Sequence, residues 1–476
     1  MNSKQTKKEI SDESSRNKKT KGVKTLLGDP KKAIIKLSLP MIAAMSIQAI
    51  YNLADAIWVS GLGANALAAI GFVFPFFFLA VGLSNGLGIG AASAISRRIG
   101  ASDKPGADNI AVHTIAIMLL FVVVFTVPLF AFAREIFVFI GAVDVIGMTV
   151  SYGKVIIAGS IFIFFTNIAN AILRGEGDVK RAMYAMALGA GLNIVLDPIF
   201  IYTFDLGIAG AAWATLLSLS ITSIVMLNWF FFKRDTYVSF NFSDFKFNKN
   251  IIIDILKVGL PGSVMMVSMS FMMIIINIII VMVGNTDGVA IYSTGWRVAS
   301  IAVLPTMGIA TALVSVSGAA FGAHSFKKVS IAHLYAIKIG FVIEAVIAVV
   351  TFIFAPQIAA VFTQAGGAER IAPGLTIFLR IISFYYPTIS FGMLSSSLFQ
   401  GTGKGMTALL VTILRTLILT PLFAVVFAFI FGWGLVGVWW GLVAANTIAV
   451  TVAFVWARLY IKELMKKSPG VTQSLT

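Results

Sequence analysis

The chain contains no cysteine, so disulfides, thiolate metal sites and cysteine nucleophiles are excluded outright. Histidine is almost as scarce. His113, His324 and His333 are the full complement, none is spaced with another for a metal site, and each is expected in a loop or at a helix end. Charge is scarce too: Asp, Glu, Lys and Arg make up 12% of 476 residues, against about a quarter in soluble domains. That deficit excludes an ordinary soluble globular protein. No Gly-x-x-x-x-Gly-Lys-Ser/Thr phosphate loop occurs, which argues against an ATP-driven pump. No paired histidines or nucleophile constellation is visible either, which argues against a membrane-embedded enzyme.

What fills the space is apolar: 58% of residues are hydrophobic and the mean hydropathy is +0.94. A chain of 51.0 kDa has room for roughly a dozen spans of about 20–25 residues. Apolar runs between polar breaks place them near 33–60, 66–97, 107–131, 149–173, 181–203, 207–232, 252–283, 288–321, 331–355, 371–399, 405–430 and 434–461. These runs exceed barrel-strand length, and lipid forbids unpaired backbone groups, so the expected class is an all-α integral membrane protein with twelve transmembrane helices.

The net charge of +16 has the distribution of a membrane protein rather than of one that binds nucleic acid. Residues 1–36 hold eleven Lys or Arg against four acids. Arg97, Arg98 and Lys104 follow span 2, Arg174, Lys180 and Arg181 surround the end of span 4, and Lys233, Arg234, Lys246, Lys249 and Lys257 flank the 233–251 segment. Lys327 and Lys328 follow span 8. Odd-numbered connections are poor in bases; Arg134 and Arg370 are exceptions, each beside an acid (Glu135, Glu369). The positive-inside rule therefore predicts a multi-pass protein of the plasma membrane with both termini in the cytoplasm. The polar first 25 or so residues lack an apolar core and read as a flexible tail, not a signal peptide.

The two halves match. Lys36-Leu-Ser-Leu-Pro40 corresponds to Lys257-Val-Gly-Leu-Pro261, Leu173-Arg-Gly-Glu-Gly177 to Phe399-Gln-Gly-Thr-Gly403, and Gly207-Ile-Ala-Gly210 to Gly434-Leu-Val-Gly437, at offsets of 221, 226 and 227. Each six-span unit starts on the same side, so the repeats are parallel and related by an axis along the membrane normal. The predicted organisation is a cytoplasmic tail at 1–32, an N-lobe at 33–232, a linker at 233–251, a C-lobe at 252–461 and a second tail at 462–476, with the lobes rocking about a cavity between them.

Two aspartates interrupt the apolar runs of the N-lobe: Asp55 in span 1 and Asp197 in span 5. Acids at membrane depth cost several kcal/mol or so and are rarely left there without a task. Asn193 and Asp197 share a helix face, and Pro198 frees the carbonyl of Ile194 and kinks span 5. Thr215 on span 6 adds a hydroxyl and Asp55 the second carboxylate. Such oxygens suit a hard cation such as Na⁺, while paired carboxyls can equally carry H⁺; these residues leave the ion open. The C-lobe has Ile276 beside Asn277 at the Asp55 offset and Thr420-Pro421 near that of Asp197, so cation handling is expected in the N-lobe. Glu344 is the C-lobe acid well inside a span, and it is expected to pair with Arg297 or another basic residue; Arg380 and Arg415 pair or line the cavity. Met265, Met266, Met269, Phe271, Met272 and Met273 on span 7 offer material for an adaptable apolar wall.

Three segments carry a family likeness: Tyr51-Asn-Leu-Ala-Asp-Ala-Ile-Trp-Val-Ser-Gly61, Asn170-Ala-Ile-Leu-Arg-Gly-Glu-Gly-Asp178 and Gly191-Leu-Asn-Ile-Val-Leu-Asp-Pro-Ile-Phe200. With them the chain resembles multidrug and toxic compound extrusion (MATE) transporters, and most the DinF-type prokaryotic and archaeal branch. The resemblance implies a V-shaped fold of two pseudo-symmetric six-helix lobes, and antiport of H⁺ or Na⁺ against amphiphilic, often cationic drugs or metabolites, by a monomer surrounded by lipid and without a cofactor. It implies a cation site at Asp55, Asn193, Asp197 and Thr215, with Tyr51, Tyr152, Asn167, Asn170 and Pro198 as neighbours of that site or of substrate. The NorM-type branch places acids in helices seven and ten; here span 7 has none after Asp254 and span 10 none after Glu369. The alternative is a flippase for lipids or lipid-linked saccharides on the same two-lobe plan.

Overall fold

The computed structural model describes residues 20–233, 235–240, 247–364 and 369–467, and every regular element among them is helical. The parts of the expected tails and linker at 1–19, 234, 241–246 and 468–476, including Arg234 and Lys246, lie outside the described residues. Eight of the twelve spans are single runs: Pro30–Ser60 (span 1), Ala64–Gly100 (2), Lys104–Ala131 (3), Val179–Thr203 (5), Gly207–Lys233 (6), Phe326–Ile353 (9), Gly405–Ile430 (11) and Gly434–Lys466 (12). Span 4 is a pair, Ile146–Ala158 and Ser160–Gly175, bent by 43°; span 10 is its counterpart, Glu369–Ile382 and Tyr385–Gly401, bent by 50°.

Lys249–Ala302 is 54 residues of nearly continuous helix, about 80 Å if straight. A hydrocarbon core of about 30 Å cannot hold that length. The chain reverses at Asn285 (φ 50°, ψ −155°), which separates span 7 (249–284) from span 8 (286–322), and span 8 breaks again at Val303 before Leu304–Gly322.

Span 1 starts earlier than the expected residue 33 because Pro30 sits in its first turn and Asp29 caps it, accepting from the Lys32 N–H at 2.9 Å. Nor is the tail wholly without structure, since Lys21–Leu27 forms a short helix with Val23 and Leu26 buried. Asp103 and Asp178 cap spans 3 and 5 in the same way, so carboxylates stabilise three helix starts at the end of the bundle that carries the basic loops.

The lobes meet toward that basic end, and they meet reciprocally. Ser93 on span 2 donates to the Gln400 carbonyl at the end of span 10, at 2.5 Å. Ser315 on span 8 donates to the Arg174 carbonyl at the end of span 4, at 2.8 Å. A β-carbon on Gly100 would collide with the Ala319 carbonyl oxygen, and one on Gly322 with that of Arg97. Each pair is the image of the other under the sequence repeat, so both crossings need glycine where backbone meets backbone. Arg97 adds an ion pair across the interface to Asp254, at 2.9 Å.

Of the three histidines expected at loops or helix ends, His324 lies in the turn between Leu304–Gly322 and Phe326–Ile353, but the other two do not. His333 is fully buried inside span 9 with Nε2 at 3.1 Å from Ser395 Oγ. His113 is buried in span 3 and its Nε2 accepts from the Asn248 N–H at 3.0 Å. Each stitches two segments together.

Candidate functional site

Spans 1 and 5 pack against one another, and at their contact the Asp55 and Asp197 carboxyl groups lie close enough to interact directly. Two ionised carboxylates would repel at this range, so the pair needs a proton or a cation between its members. Asp197 is fully buried and Asn193 nearly so. With its amide nitrogen turned to the acid, Asn193 donates to Asp197 Oδ2 at 2.8 Å, and its oxygen accepts from the Thr215 N–H at 3.2 Å and hydroxyl at 3.1 Å. Tyr51, one turn before Asp55, lies beside Thr215, and both it and Tyr152 are close enough to feel the two aspartates. Spans 1, 4, 5 and 6 thus converge on one pair of acids.

Pro198 ends the regular part of span 5 and is followed by a π-helical turn, Ile199–Thr203. The wider turn is how the helix absorbs the N–H that proline lacks. It also swings Tyr202 over span 1, where its hydroxyl donates to the Trp58 carbonyl at 2.6 Å. Asn167 and Asn170 have other bonds: Asn167 donates to Ser84 Oγ (3.1 Å) and the Ile163 carbonyl (2.9 Å), and Asn170 to the Thr166 carbonyl (3.0 Å). None of these bonds reaches the carboxyl pair.

A separate cavity of about 290 Å³ lies between the lobes. Six methionines line it: Met45 from the N-lobe and Met265, Met266, Met269, Met307 and Met393 from the C-lobe. Phe271, Met272 and Met273 of the expected wall do not line it, as a helix cannot turn all six side chains one way. Its charged groups are Arg174 and Arg415, with Gln400, Ser396, Ser397 and Thr412 as polar company and no acid in the lining. Arg174 reads in the sequence as a loop-side charge. It reaches the cavity because Gly175 and Gly88 let the second half of span 4 press on span 2, a contact no local pattern announces.

The expected pairing of Glu344 with Arg297 does not form. Arg297 is exposed, whereas Glu344 is fully buried and neither of its oxygens has a hydrogen-bond partner. Arg380 lies over the Phe352 ring at 5.7 Å.

Comparison with known proteins agrees with this architecture. The MatE family model matches residues 40–199 and 261–426, one stretch in each lobe. The multidrug export protein MepA of Staphylococcus aureus (strain N315) is 28% identical over 427 residues, covering 89% of this chain and 92% of that protein. MepA of Staphylococcus saprophyticus is 28% identical over 425 residues with the same coverage. Among solved structures, the outward-facing conformation of a multidrug resistance MATE family transporter of the MOP superfamily superposes with a TM-score of 0.92 at 47% identity, over 94% of this chain and 100% of that one. A MOP superfamily transporter from Pyrococcus furiosus, whose binding pocket is described as having reverse polarity suggestive of a different function, gives 0.91 at 47% identity over 94% and 99%. A twelve-helix duplicated bundle with matches in both halves leaves one assignment: this chain belongs to the MATE (MatE) family of membrane transporters.

Proposed function

We propose that the protein is a proton-coupled secondary antiporter of the plasma membrane, with both termini in the cytoplasm, that exports amphiphilic small molecules by alternating access. The observation that carries this reading is the Asp55–Asp197 pair, half-buried at Asp55 and fully buried at Asp197, with Asn193, Thr215 and Tyr51 around it. Between H⁺ and Na⁺, the geometry favours the proton. Asn193 with its amide nitrogen on Asp197 and its oxygen on Thr215 suits a protonated pair as it stands, whereas Na⁺ would need the amide turned so that its oxygen faces the acids. Loss of the shared proton puts two like charges together in lipid, and their repulsion drives spans 1 and 5 apart at the Pro198 turn. The lobes meet toward the basic end, so this arrangement opens to the outside.

The test uses proteoliposomes with H⁺ and Na⁺ gradients imposed separately. Efflux of an amphiphilic dye under the pH gradient alone, lost in Asp55→Asn and Asp197→Asn, is the expected result. Efflux under the Na⁺ gradient alone would overturn the proton assignment, and unimpaired efflux by both variants would overturn the site.

A flippase for anionic lipids or lipid-linked saccharides is the second reading. It is favoured by Arg174 and Arg415 in a cavity without acids, since guanidinium groups suit phosphate. Lipid translocation in the same vesicles, without dye efflux, is the outcome that would select it.

A further inference from the structure

Among the described residues, Glu344 is the one buried acid of the C-lobe, and the antiport reading leaves it idle. It lies deep in span 9, is fully buried, and neither carboxyl oxygen accepts a hydrogen bond of ordinary geometry. A charge abandoned in lipid is costly, so such a group is neutral, paired or in use. No cation pairs with it among the described residues. What faces it is two helix breaks. Thr306, in the first turn of Leu304–Gly322 just after the Val303 break, presents its hydroxyl and its backbone N–H. That N–H belongs to the first turn and has no partner within the helix. Tyr386, in the first turn of Tyr385–Gly401 just after the span 10 bend, is fully buried, is close enough to feel the carboxylate, and has a hydroxyl that is also unpartnered. Ser390 Oγ, 3.4 Å from Thr306 Oγ1, closes the group.

Spans 1 and 12 also pack on span 9 but bring no charge to this point. Arg458 of span 12 acts on His333 and bonds to Ser330, and Lys31 lies over Tyr335, all nearer the basic end. Tyr386 is therefore the titratable group facing Glu344. At the corresponding place on span 3 the N-lobe has Val122, so the feature belongs to one lobe only.

We propose that Glu344 is a proton-loading site of the C-lobe. Its carboxylate form is held by the N-terminal turn of Leu304–Gly322 and by the Tyr386 hydroxyl, and its protonated form releases them. The anion draws the positive end of one half-helix and the hydroxyl of another onto span 9. Proton uptake removes that attraction and frees spans 8 and 10 to pivot at Val303 and at Ser383–Phe384. The inference rests on the proton-coupled reading for its place in the cycle, but on different residues.

The full chain in lipid nanodiscs, titrated while the infrared band of protonated carboxyl groups is recorded, provides the test. Glu344→Gln is expected to remove one titrating band and to take up about one proton fewer per molecule on acidification. Asp55→Asn/Asp197→Asn keeps that band, and Glu344→Asp restores it at a shifted midpoint, which excludes misfolding as the cause. Tyr386→Phe keeps the band but moves its midpoint, a change that a purely structural glutamate would not show. An unchanged spectrum and proton count in Glu344→Gln overturns the proposal, as does a band that responds to Na⁺ and not to pH. Normal pH-driven efflux by the double aspartate variant, with the Glu344 band intact, would instead sink the N-lobe reading alone.

Discussion

The two lobes have one scaffold and two fillings. Both bend their fourth span, by 43° and 50°. Both end their fifth in a π turn, Ile199–Thr203 and Val426–Ile430, and both follow their third with a short helix, Ala133–Phe139 and Ala355–Phe362. Where the N-lobe places Asp55 and Asp197, the C-lobe places Ile276 and Ala424, both fully buried, and at the Asn193 position it has Thr420, whose hydroxyl bonds back to the Arg415 carbonyl at 2.7 Å. The C-lobe packs part of its own middle with aromatics instead: Tyr292 stacks on Trp439 at 5.9 Å, and Phe378 meets the same Trp edge-on at 4.8 Å. The backbone architecture therefore does not need the acids. They occur in one copy only, an asymmetry that the proposed coupling role accounts for.

Exchanging the contrasting residues breaks or sharpens that comparison. The largest effect is expected at the acids: Asp197→Asn should lower pH-driven efflux by roughly tenfold or more, the range of ordinary coupling energies. Thr420→Ala, at the C-lobe position that corresponds to the neighbouring Asn193, should leave efflux within about twofold, since it loses one local hydrogen bond. Parallel transport assays decide this, and equal losses would erase the asymmetry.

Ile276→Asp, which writes an acid into the C-lobe, should cost about 3 kcal/mol, because no second carboxyl or amide awaits it there. Thermal unfolding in detergent measures this, and an unchanged melting temperature would mean the C-lobe can house an acid unaided.

A subtler contrast sits in the loops after spans 4 and 10. Glu176 corresponds to Thr402, which simply caps its own helix by donating to the Leu398 carbonyl at 3.0 Å. Glu176 is buried, accepts from the Val238 N–H at 2.8 Å and leaves Oε1 unpartnered. Burial pushes its carboxyl up to about 8, with the Val238 N–H pulling the other way and Asp178 adding to the rise. The folded state thus holds this proton to a higher pH than the unfolded chain does. Its stabilising effect is complete below the normal carboxylate range, declines as pH rises toward about 8, and is gone above it. Glu176→Gln should flatten that slope in melting temperatures measured across the interval, while Thr402→Val should leave it intact.

The smallest effect is expected from Tyr202→Phe, which gives the N-lobe the residue the C-lobe has at Phe429. It removes one exposed hydrogen bond to Trp58, about 1 kcal/mol or less, and should show as a slight melting shift with efflux retained.

Much of this was legible along the chain. Twelve apolar runs, the polar breaks between them and the offsets of 221–227 predict the spans and the duplication, because hydropathy and helical period are local properties that lipid enforces on each segment alone. The i,i+4 spacing of Asn193 and Asp197, with proline next, also reads directly as one face of one helix. Two expectations failed for a shared reason: His113 and His333 lie inside helices, and Glu344 has no arginine. Neither depth in a bundle nor the direction of a neighbour's side chain is written in a residue's own surroundings.

The sequence by itself determined which segments cross the membrane, that there are two related sets of six, and that only the first carries paired aspartates. Tertiary structure alone decided that Asp55 meets Asp197, that Arg174 turns into the cavity, and that Glu344 faces two helix breaks. Each of those depends on how one helix is rotated and crossed against another. That rotation is set by close backbone approaches such as Gly100 on Ala319 and Gly322 on Arg97, which involve residues far apart in the chain.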